Sequence, residues 1–231
     1  MKNIVLQKID IYSGNLLLVN AHYPLKTADI VGLTSLDPRS TQILMKRHAV
    51  NVLLMILQKI SAGNAIVPVS GYRSAQEQTA IYDDSLKENG EEFTRKFVAL
   101  PNHSEHQTGL AIDLGLNKED IDFICPDFPY AGICNDFRYV GCPHSLIMKD
   151  RGFSLEEYTD FIKAYRENSR FVYKQADGKE TEVYYVPAND GEIQLNIPES
   201  SVYQVSGNNV DGFIVTVWRD NDERKKVLYR Y

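Results

Sequence analysis

The C-terminal part of the chain reads as a series of short β-strands, and this pattern limits the possible folds more than any other feature. Five runs between residues 167 and 231 are rich in β-branched and aromatic residues, and Asp-Gly pairs at 177–178, 190–191 and 211–212 separate several of them. Asp-Gly between such runs is typical of tight β-hairpins. We therefore predict a small all-β module over residues 167–231, after a first domain over residues 1–166.

The first domain mixes helix and strand patterns. Apolar residues recur at near-helical spacing over residues 41–57, which predicts a helix. The run AIVPVSGYR predicts a strand, in which Pro68 favours a sheet edge or a bulge. Ser74 and Glu77 then form a capping box that begins another helix. Arg73 therefore lies at a strand-to-helix junction, a common place from which a side chain reaches a cleft. The run EEFTRKFVA, from residue 91, predicts a short helix, and a second capping box, Ser154 to Glu157, begins a later helix.

Charge and hydropathy argue against several function classes. The formal net charge of −6 does not suit phosphate-backbone binding, so no nucleic-acid partner is expected. No run is long and apolar enough to span a bilayer, and the N-terminus lacks the apolar stretch of a signal peptide. We therefore expect a cytoplasmic protein without a transmembrane segment. The three cysteines include no C-x-x-C pair, which argues against a thiolate zinc site and for reduced thiols.

The stretch PNHSEHQTGLAIDLG, residues 101–115, supplies an imidazole and a carboxylate with small residues around both. Its GLAIDLG part alternates as a strand, with Asp113 on the less apolar face and His106 in the preceding loop. Catalytic zinc commonly takes three protein ligands and one water. Taken alone, a His and an Asp at this spacing are more often a surface pair or a hydrogen-bonded turn than two metal ligands.

Two longer motifs resemble one known family. SGYRSAQEQ at 70–78, followed by SEHQTGLAIDLG at 104–115, is similar to the VanY-type D-alanyl-D-alanine carboxypeptidases of the zinc D,D-peptidase family. The family pattern S-x-H-x-x-G-x-A-x-D is matched from Ser104 to Asp113. The resemblance covers most of the first 165 residues. It implies an α+β domain, with helices around a small antiparallel sheet that precedes the all-β module.

The resemblance also implies roles for individual residues. His106 and Asp113 would bind Zn²⁺, and Arg73 would polarise the scissile carbonyl and stabilise the oxyanion. Gln78 and Ser104 match positions that line the substrate pocket. The alternatives are an Arg in a surface salt bridge, a solvated Gln and a turn Ser. The implied partner is a peptidoglycan precursor peptide ending in D-Ala-D-Ala, from which a cell-wall metallopeptidase of the vancomycin-resistance type removes the terminal D-Ala.

The chain departs from the family pattern at the last motif. That motif resembles E-P-W-H-F-R-Y-V-G and carries the general base and the third zinc ligand, whereas this chain has ICNDFRYVG at 133–141. The preceding FPYAGICNDFR itself resembles an earlier family segment that also ends in FR. We interpret this as a jump from the first FR to the second, with loss of the Glu, the His and some sheet strands. Asp136 is a candidate replacement ligand, and Glu105 is a weaker candidate for the base.

Three functions follow from this pattern. The first is a zinc-dependent D,D-carboxypeptidase acting on D-Ala-D-Ala-ending peptides. The second is a non-catalytic or deletion-impaired relative that binds cell-wall peptides without efficient hydrolysis. The third is a defective product whose core is incomplete. His22, His48 and His144 have no ligand role by resemblance, and His144 matches a position at the start of a helix.

Overall fold

The computed structural model describes residues 1–26, 30–37, 41–117 and 136–219, with Asp136 described by its backbone alone. By backbone contacts the chain divides into two compact units. One unit is Val19–Tyr139, and the other joins Met1–Leu18 to Val140–Tyr231. Among the described residues, no helix has both the length and the apolar composition needed to cross a bilayer.

The unit Val19–Tyr139 is a small antiparallel sheet with helices, as the family resemblance implies. Its sheet has the strand order β4-β5-β6, and a separate two-stranded ribbon pairs β2 with β3. The elements are β2 (Leu33–Ser35), β3 (Leu44–Lys46), α1 (Arg47–Lys59), β4 (Ile66–Ser70), α2 (Ala75–Phe97), β5 (Ala111–Leu116) and β6 (Asp136–Arg138).

The apolar face of β5 forms the centre of this unit. Leu110, Ile112 and Leu114 have no exposed surface, which confirms the predicted alternation. They pack in one cluster with Val50 and Leu53 of α1. Asp113 lies on the other face of the strand, so burial of the leucines fixes the side from which its carboxylate projects.

Two predicted helices differ from the observed ones. The helix predicted over residues 41–57 begins only at Arg47, because residues 44–46 pair with β2 as a strand. The capping box of Ser74 is present and begins α2 as predicted. That helix continues past Gly90, whose φ of 82° introduces a kink, so the short helix expected near residue 91 is the second arm of α2.

The other unit contains the predicted β-rich segment. Four antiparallel strands have the order β10-β11-β8-β7, and β1 pairs with β9 in a second sheet. Ser154 caps the last helix with a capping box, as predicted. The elements are β1 (Lys2–Leu6), α3 (His144–Arg151), α4 (Leu155–Ile162), β7 (Phe171–Lys174), β8 (Glu180–Pro187), β9 (Ile193–Ile197), β10 (Val202–Gly207) and β11 (Gly212–Trp218).

The predicted boundary between residues 166 and 167 does not coincide with the division into units. The N-terminal strand β1 supplies the partner of β9. The helices α3 and α4 contribute Ile147, Tyr158 and Ile162 to a core shared with Val183 and Ile214 of the β-sheet. The β-strands after residue 167 therefore bury their apolar faces against segments that precede it.

Candidate active site

Strand pairing brings the two predicted motifs together. The SGYRS motif begins at Ser70, the last residue of β4, and the His-Asp motif runs from a single 3₁₀ turn, Glu105–Thr108, into β5. The two strands are antiparallel, with Ser70 directly opposite Asp113. Gly109 ends the 3₁₀ turn in the left-handed conformation at φ 69°, which favours glycine. The sheet thus places an Arg, a His and an Asp side by side.

The His106 imidazole is buried and held in one orientation. Its Nδ1 lies 2.7 Å from the carbonyl oxygen of Gly71. A carbonyl can only accept a hydrogen bond, so Nδ1 carries a proton, and in the neutral ring that binds a metal Nε2 presents its lone pair. Nε2 lies 3.3 Å from Oδ1 of Asp113. A backbone carbonyl in this place is the usual support of a metal-binding histidine.

The spacing of these two atoms suits a zinc ion. Two ligands at 2.0–2.1 Å from a tetrahedral zinc lie about 3.3 Å from each other. The observed separation of His106 Nε2 and Asp113 Oδ1 has this value. His106 and Asp113 therefore fit two positions of a tetrahedral site, as the family resemblance implies.

The guanidinium of Arg73 contacts the second oxygen of the same carboxylate. Nη2 lies 3.3 Å from Asp113 Oδ2, and Ser70 Oγ accepts from both Nε and Nη2. Arg73 also lines a cavity of about 380 Å³, together with Tyr72, Asn102 and Gln107. The side chain is 23% exposed, so it is fixed on the protein side and reachable from the cavity.

Gln78 and Ser104 are both almost fully buried, at 1% and 5% exposure. Gln78 Nε2 donates to the carbonyl of Ala99 at 2.8 Å, and its Oε1 accepts from Arg73 Nη1 at 3.5 Å. Ser104 immediately precedes the 3₁₀ turn that contains His106. Their predicted contacts with substrate stay a prediction, and Gln78 has the additional role of bracing Arg73.

A third ligand is not found among the residues that the structure describes. No group of three or more His, Cys, Asp or Glu side chains that could hold a metal occurs there. The backbone of Asp136 is paired directly with Asp113 across β5 and β6, so the candidate lies at the expected register position. Its side chain is outside the described part, as are residues 118–135, which include Cys125 and Cys134.

The other acidic and histidine candidates have structural contacts. The Glu105 carboxylate pairs with Arg138 Nε at 3.1 Å, so it is committed to that ion pair. His144 begins α3 as predicted. It lies in the other unit between the hydroxyls of Tyr158 and Thr216. Complete burial lowers its pKa to about 3. His48 packs its ring against Tyr139, and burial lowers its pKa too.

Sequence reasoning missed two residues that orient the site, one at the end of β4 and one directly after it. Ser70 holds Arg73, and the carbonyl of Gly71 holds His106. Pro68 within a strand pattern was the available signal, because a bulge there changes which residue faces Asp113. The sequence pattern indicated an edge or a bulge at Pro68, and it did not indicate the contacts that Ser70 and Gly71 make.

Comparison with known proteins decides the family. The family model described as VanY, D-alanyl-D-alanine carboxypeptidase, matches residues 42–129. A D-alanyl-D-alanine carboxypeptidase of Enterococcus faecium is 31% identical, over 90% of this chain and 76% of the relative. The chain belongs to the VanY/VanXY family of D-alanyl-D-alanine peptidases. The bifunctional D-Ala-D-Ala dipeptidase and carboxypeptidase VanXYC of Enterococcus gallinarum is 35% identical, over 64% of this chain and 95% of the relative.

Solved structures of the family agree with the fold. The D,D-dipeptidase VanXYg, solved with a D-Ala-D-Ala phosphinate analogue, is 58% identical with a TM-score of 0.88. That match covers 94% of this chain and 99% of VanXYg. The D,D-pentapeptidase VanY of a VanB-type cassette, solved with Zn(II), is 23% identical with a TM-score of 0.50, over 63% of this chain and 98% of VanY. The latter similarity shows the shared fold alone.

The family alignments also contain residues that this chain lacks. The match to the Enterococcus faecium protein runs over 246 positions, whereas 90% of the 231 residues is about 208, which leaves about 38 positions to the relative alone. The match to VanXYC runs over 181 positions, whereas 64% of the chain is about 148 residues, which leaves about 33. The two totals are similar, as the interpreted loss of a segment from this chain requires.

Proposed function

We propose that this chain binds peptides ending in D-Ala-D-Ala at the site formed by Arg73, His106 and Asp113. We further propose that its reaction is that of a zinc-dependent D,D-carboxypeptidase, which removes the terminal D-Ala. The observation that carries the proposal is the shared carboxylate of Asp113. One of its oxygens lies 3.3 Å from His106 and the other 3.3 Å from Arg73.

Each residue of the site has its own role in the proposed reaction. His106 Nε2 and Asp113 Oδ1 would hold zinc, which when bound lowers the pKa of a water and polarises a carbonyl. Arg73 lies next to this position and carries a fixed positive charge. It would donate to the oxygen of the scissile carbonyl, where negative charge develops during attack. Asp113 compensates the charge of Arg73 while the site is empty of substrate.

A second function is favoured by two observations. The described residues contain no third metal ligand beside His106 and Asp113, and the relatives carry about 33 to 38 positions that this chain lacks. A site with two ligands holds zinc weakly, and hydrolysis without a general base loses roughly 100- to 10,000-fold in rate. The chain would then bind cell-wall peptides and cleave them slowly.

The remaining expectations rest on sequence features alone. Localisation in the cytoplasm stays a proposal, and the absence of a nucleic-acid partner is proposed from the net charge of −6. A cytoplasmic protein would meet a soluble precursor peptide and not the assembled wall.

Calorimetric titration with acetyl-L-Lys-D-Ala-D-Ala in the presence of EDTA tests peptide binding without cleavage. We expect Arg73→Ala to weaken binding at least tenfold, which corresponds to about 1.4 kcal/mol. Arg95→Ala is the matched control, because Arg95 is 71% exposed and pairs with Glu91 on the surface of α2. Equal affinity in wild type and Arg73→Ala, or no measurable binding by the wild type, would contradict the proposal.

Metal analysis after dialysis against zinc tests the ligand assignment separately. We expect His106→Ala to lose the zinc that the wild type retains. His22→Ala is the control, because His22 is exposed and lies in the Asn20–Tyr23 turn. The same zinc content in wild type and His106→Ala would remove His106 from the ligand set.

A further inference from the structure

The hydroxyl of Ser70 is a close hydrogen-bond partner of the Arg73 guanidinium. Oγ accepts from Nε at 3.0 Å and from Nη2 at 2.7 Å. Two N–H groups of one planar guanidinium thus converge on a single oxygen. This arrangement fixes both the position and the plane of the group, since a shift of either nitrogen would break a bond.

A β-bulge places Ser70 where it can do this. In the pairing of β4 with β5, Pro68 is opposite Leu114 and Ser70 is opposite Asp113, so Val69 is the extra residue. Proline has no backbone N–H to donate to the ladder, which favours an irregularity at this point. Without the bulge, Val69 would face Asp113. The bulge therefore substitutes a hydroxyl for an isopropyl group beside the carboxylate.

The guanidinium is consequently held from three elements. Ser70 comes from β4 and Asp113 from β5, where Oδ2 lies 3.3 Å from Nη2. Gln78 comes from α2, where Oε1 lies 3.5 Å from Nη1, and is itself held by the carbonyl of Ala99. The bonds to Ser70 are the shortest of the set. Ser70, like Gln78, is neutral, so its removal leaves the charge of the site unchanged.

We propose that Ser70 is a positioning residue, which orients Arg73 towards the carbonyl of a bound D-Ala-D-Ala peptide. This role rests on the proposed function of Arg73. Ser70 acts through Arg73 alone, because its side chain is directed at the guanidinium. A pre-oriented guanidinium binds its ligand without first losing conformational freedom, so loosening Arg73 lowers affinity for the peptide.

A double-mutant cycle on peptide affinity tests whether Ser70 acts through Arg73. The variants are Ser70→Ala, Arg73→Ala and the double variant, titrated with acetyl-L-Lys-D-Ala-D-Ala in EDTA. We expect Ser70→Ala to weaken binding about tenfold in the wild-type background and to have no further effect beside Arg73→Ala. Ser70→Thr keeps the oxygen and is expected to bind within about threefold of wild type, since β-branched residues suit a strand. Ser145→Ala, at an exposed serine of α3, is the control.

The outcomes separate this proposal from the one on which it rests. If Arg73→Ala weakens binding and Ser70→Ala does not, the role of Ser70 is refuted while the site stands. If Ser70→Ala weakens binding equally in both backgrounds, or Ser70→Thr fails to restore it, Ser70 supports the sheet generally and the positioning role is also refuted. If the wild type does not bind the peptide, the proposed function fails and the role of Ser70 fails with it.

Discussion

At the scale of single residues, the site depends on close approach of two backbones. Gly71 accepts the bond that orients His106, and the N–H of the next residue, Tyr72, donates to Leu44 of β3 at 2.6 Å. A Cβ at position 71 would lie 2.4 Å from the Leu44 carbonyl oxygen. Only glycine allows this approach. The orientation of His106 therefore depends on the absence of a side chain at position 71.

We therefore expect Gly71→Ala to force β3 and β4 apart. The free energy of unfolding should fall by roughly 1–3 kcal/mol, as overpacked substitutions do. Zinc retention should fall with it, because His106 loses its fixed acceptor. Urea denaturation and metal analysis measure the two effects. Gly191→Ala is the control, since the nearest atom to its Cβ would be 3.6 Å away. A Gly71→Ala protein as stable as wild type would refute the packing argument.

His144 gives a prediction on pH. Burial lowers its pKa to about 3, from the usual 6.5, so between these values the unfolded chain takes up a proton that the folded chain does not. Stability should fall as pH drops below about 6.5, by roughly 1.4 kcal/mol per pH unit from this group. Denaturation of wild type and His144→Gln between pH 7 and 5 should show a flatter slope in the variant. His48 is present in both proteins, so its contribution to the pH dependence of stability cancels in the comparison. Equal slopes would contradict the prediction.

At the scale of elements, the sequence predicted those parts whose signals are local. The β5 alternation, the Ser74 and Ser154 capping boxes and the irregular β4 were all readable, because each depends on neighbours in the chain. The helical spacing of residues 41–57 predicts helix where β3 lies, and only pairing with β2 makes these residues a strand. The contacts of Ser70 and Gly71 also depend on distant partners, which no local pattern contains.

The two capping boxes provide a matched experiment. Ser74 Oγ accepts from the Glu77 N–H at 3.1 Å, at the start of the helix that follows Arg73. Loss of such a cap usually costs about 1 kcal/mol. We expect Ser74→Ala to lower stability by this amount and to weaken peptide binding, because it loosens the residue next to Arg73. Ser154→Ala removes the same kind of cap from α4 and should lower stability without affecting the peptide. Equal peptide affinity in the two variants would argue against the link.

At the scale of the whole molecule, the sequence motifs indicate the family, whereas the predicted boundary between residues 166 and 167 differs from the division into units. The β-rich segment was predicted from its own pattern, and its strands are present. The sequence did not show that β1 pairs with β9 or that Tyr158 lies in the core beneath the sheet, because these partners are distant in the chain. The interpretation that a segment has been lost rests on comparison with the family pattern, because no local pattern in the chain indicates it.

The sequence predicts that residues 167–231 fold as a separate module. The packing in the structure favours the opposite result, that this segment does not fold alone. Ile11 and the strand β1 pack on one face of the β-strands, and Ile147, Tyr158 and Ile162 lie in the other core. We expect a fragment of residues 167–231 to lack a cooperative melting transition by circular dichroism, while the full chain has one. A cooperative transition in the fragment would support an independent module.

The central claim is that the chain keeps the peptide- and metal-binding half of the site and has lost the half that carries the base. The rate of D-Ala release from acetyl-L-Lys-D-Ala-D-Ala at saturating zinc tests it most directly. The comparison is with the same chain after insertion, between Phe137 and Tyr139, of a relative's segment bearing the Glu and the His. We expect the chain as it stands to be at least about 100-fold slower. Equal rates would show that residues of this chain already complete the site.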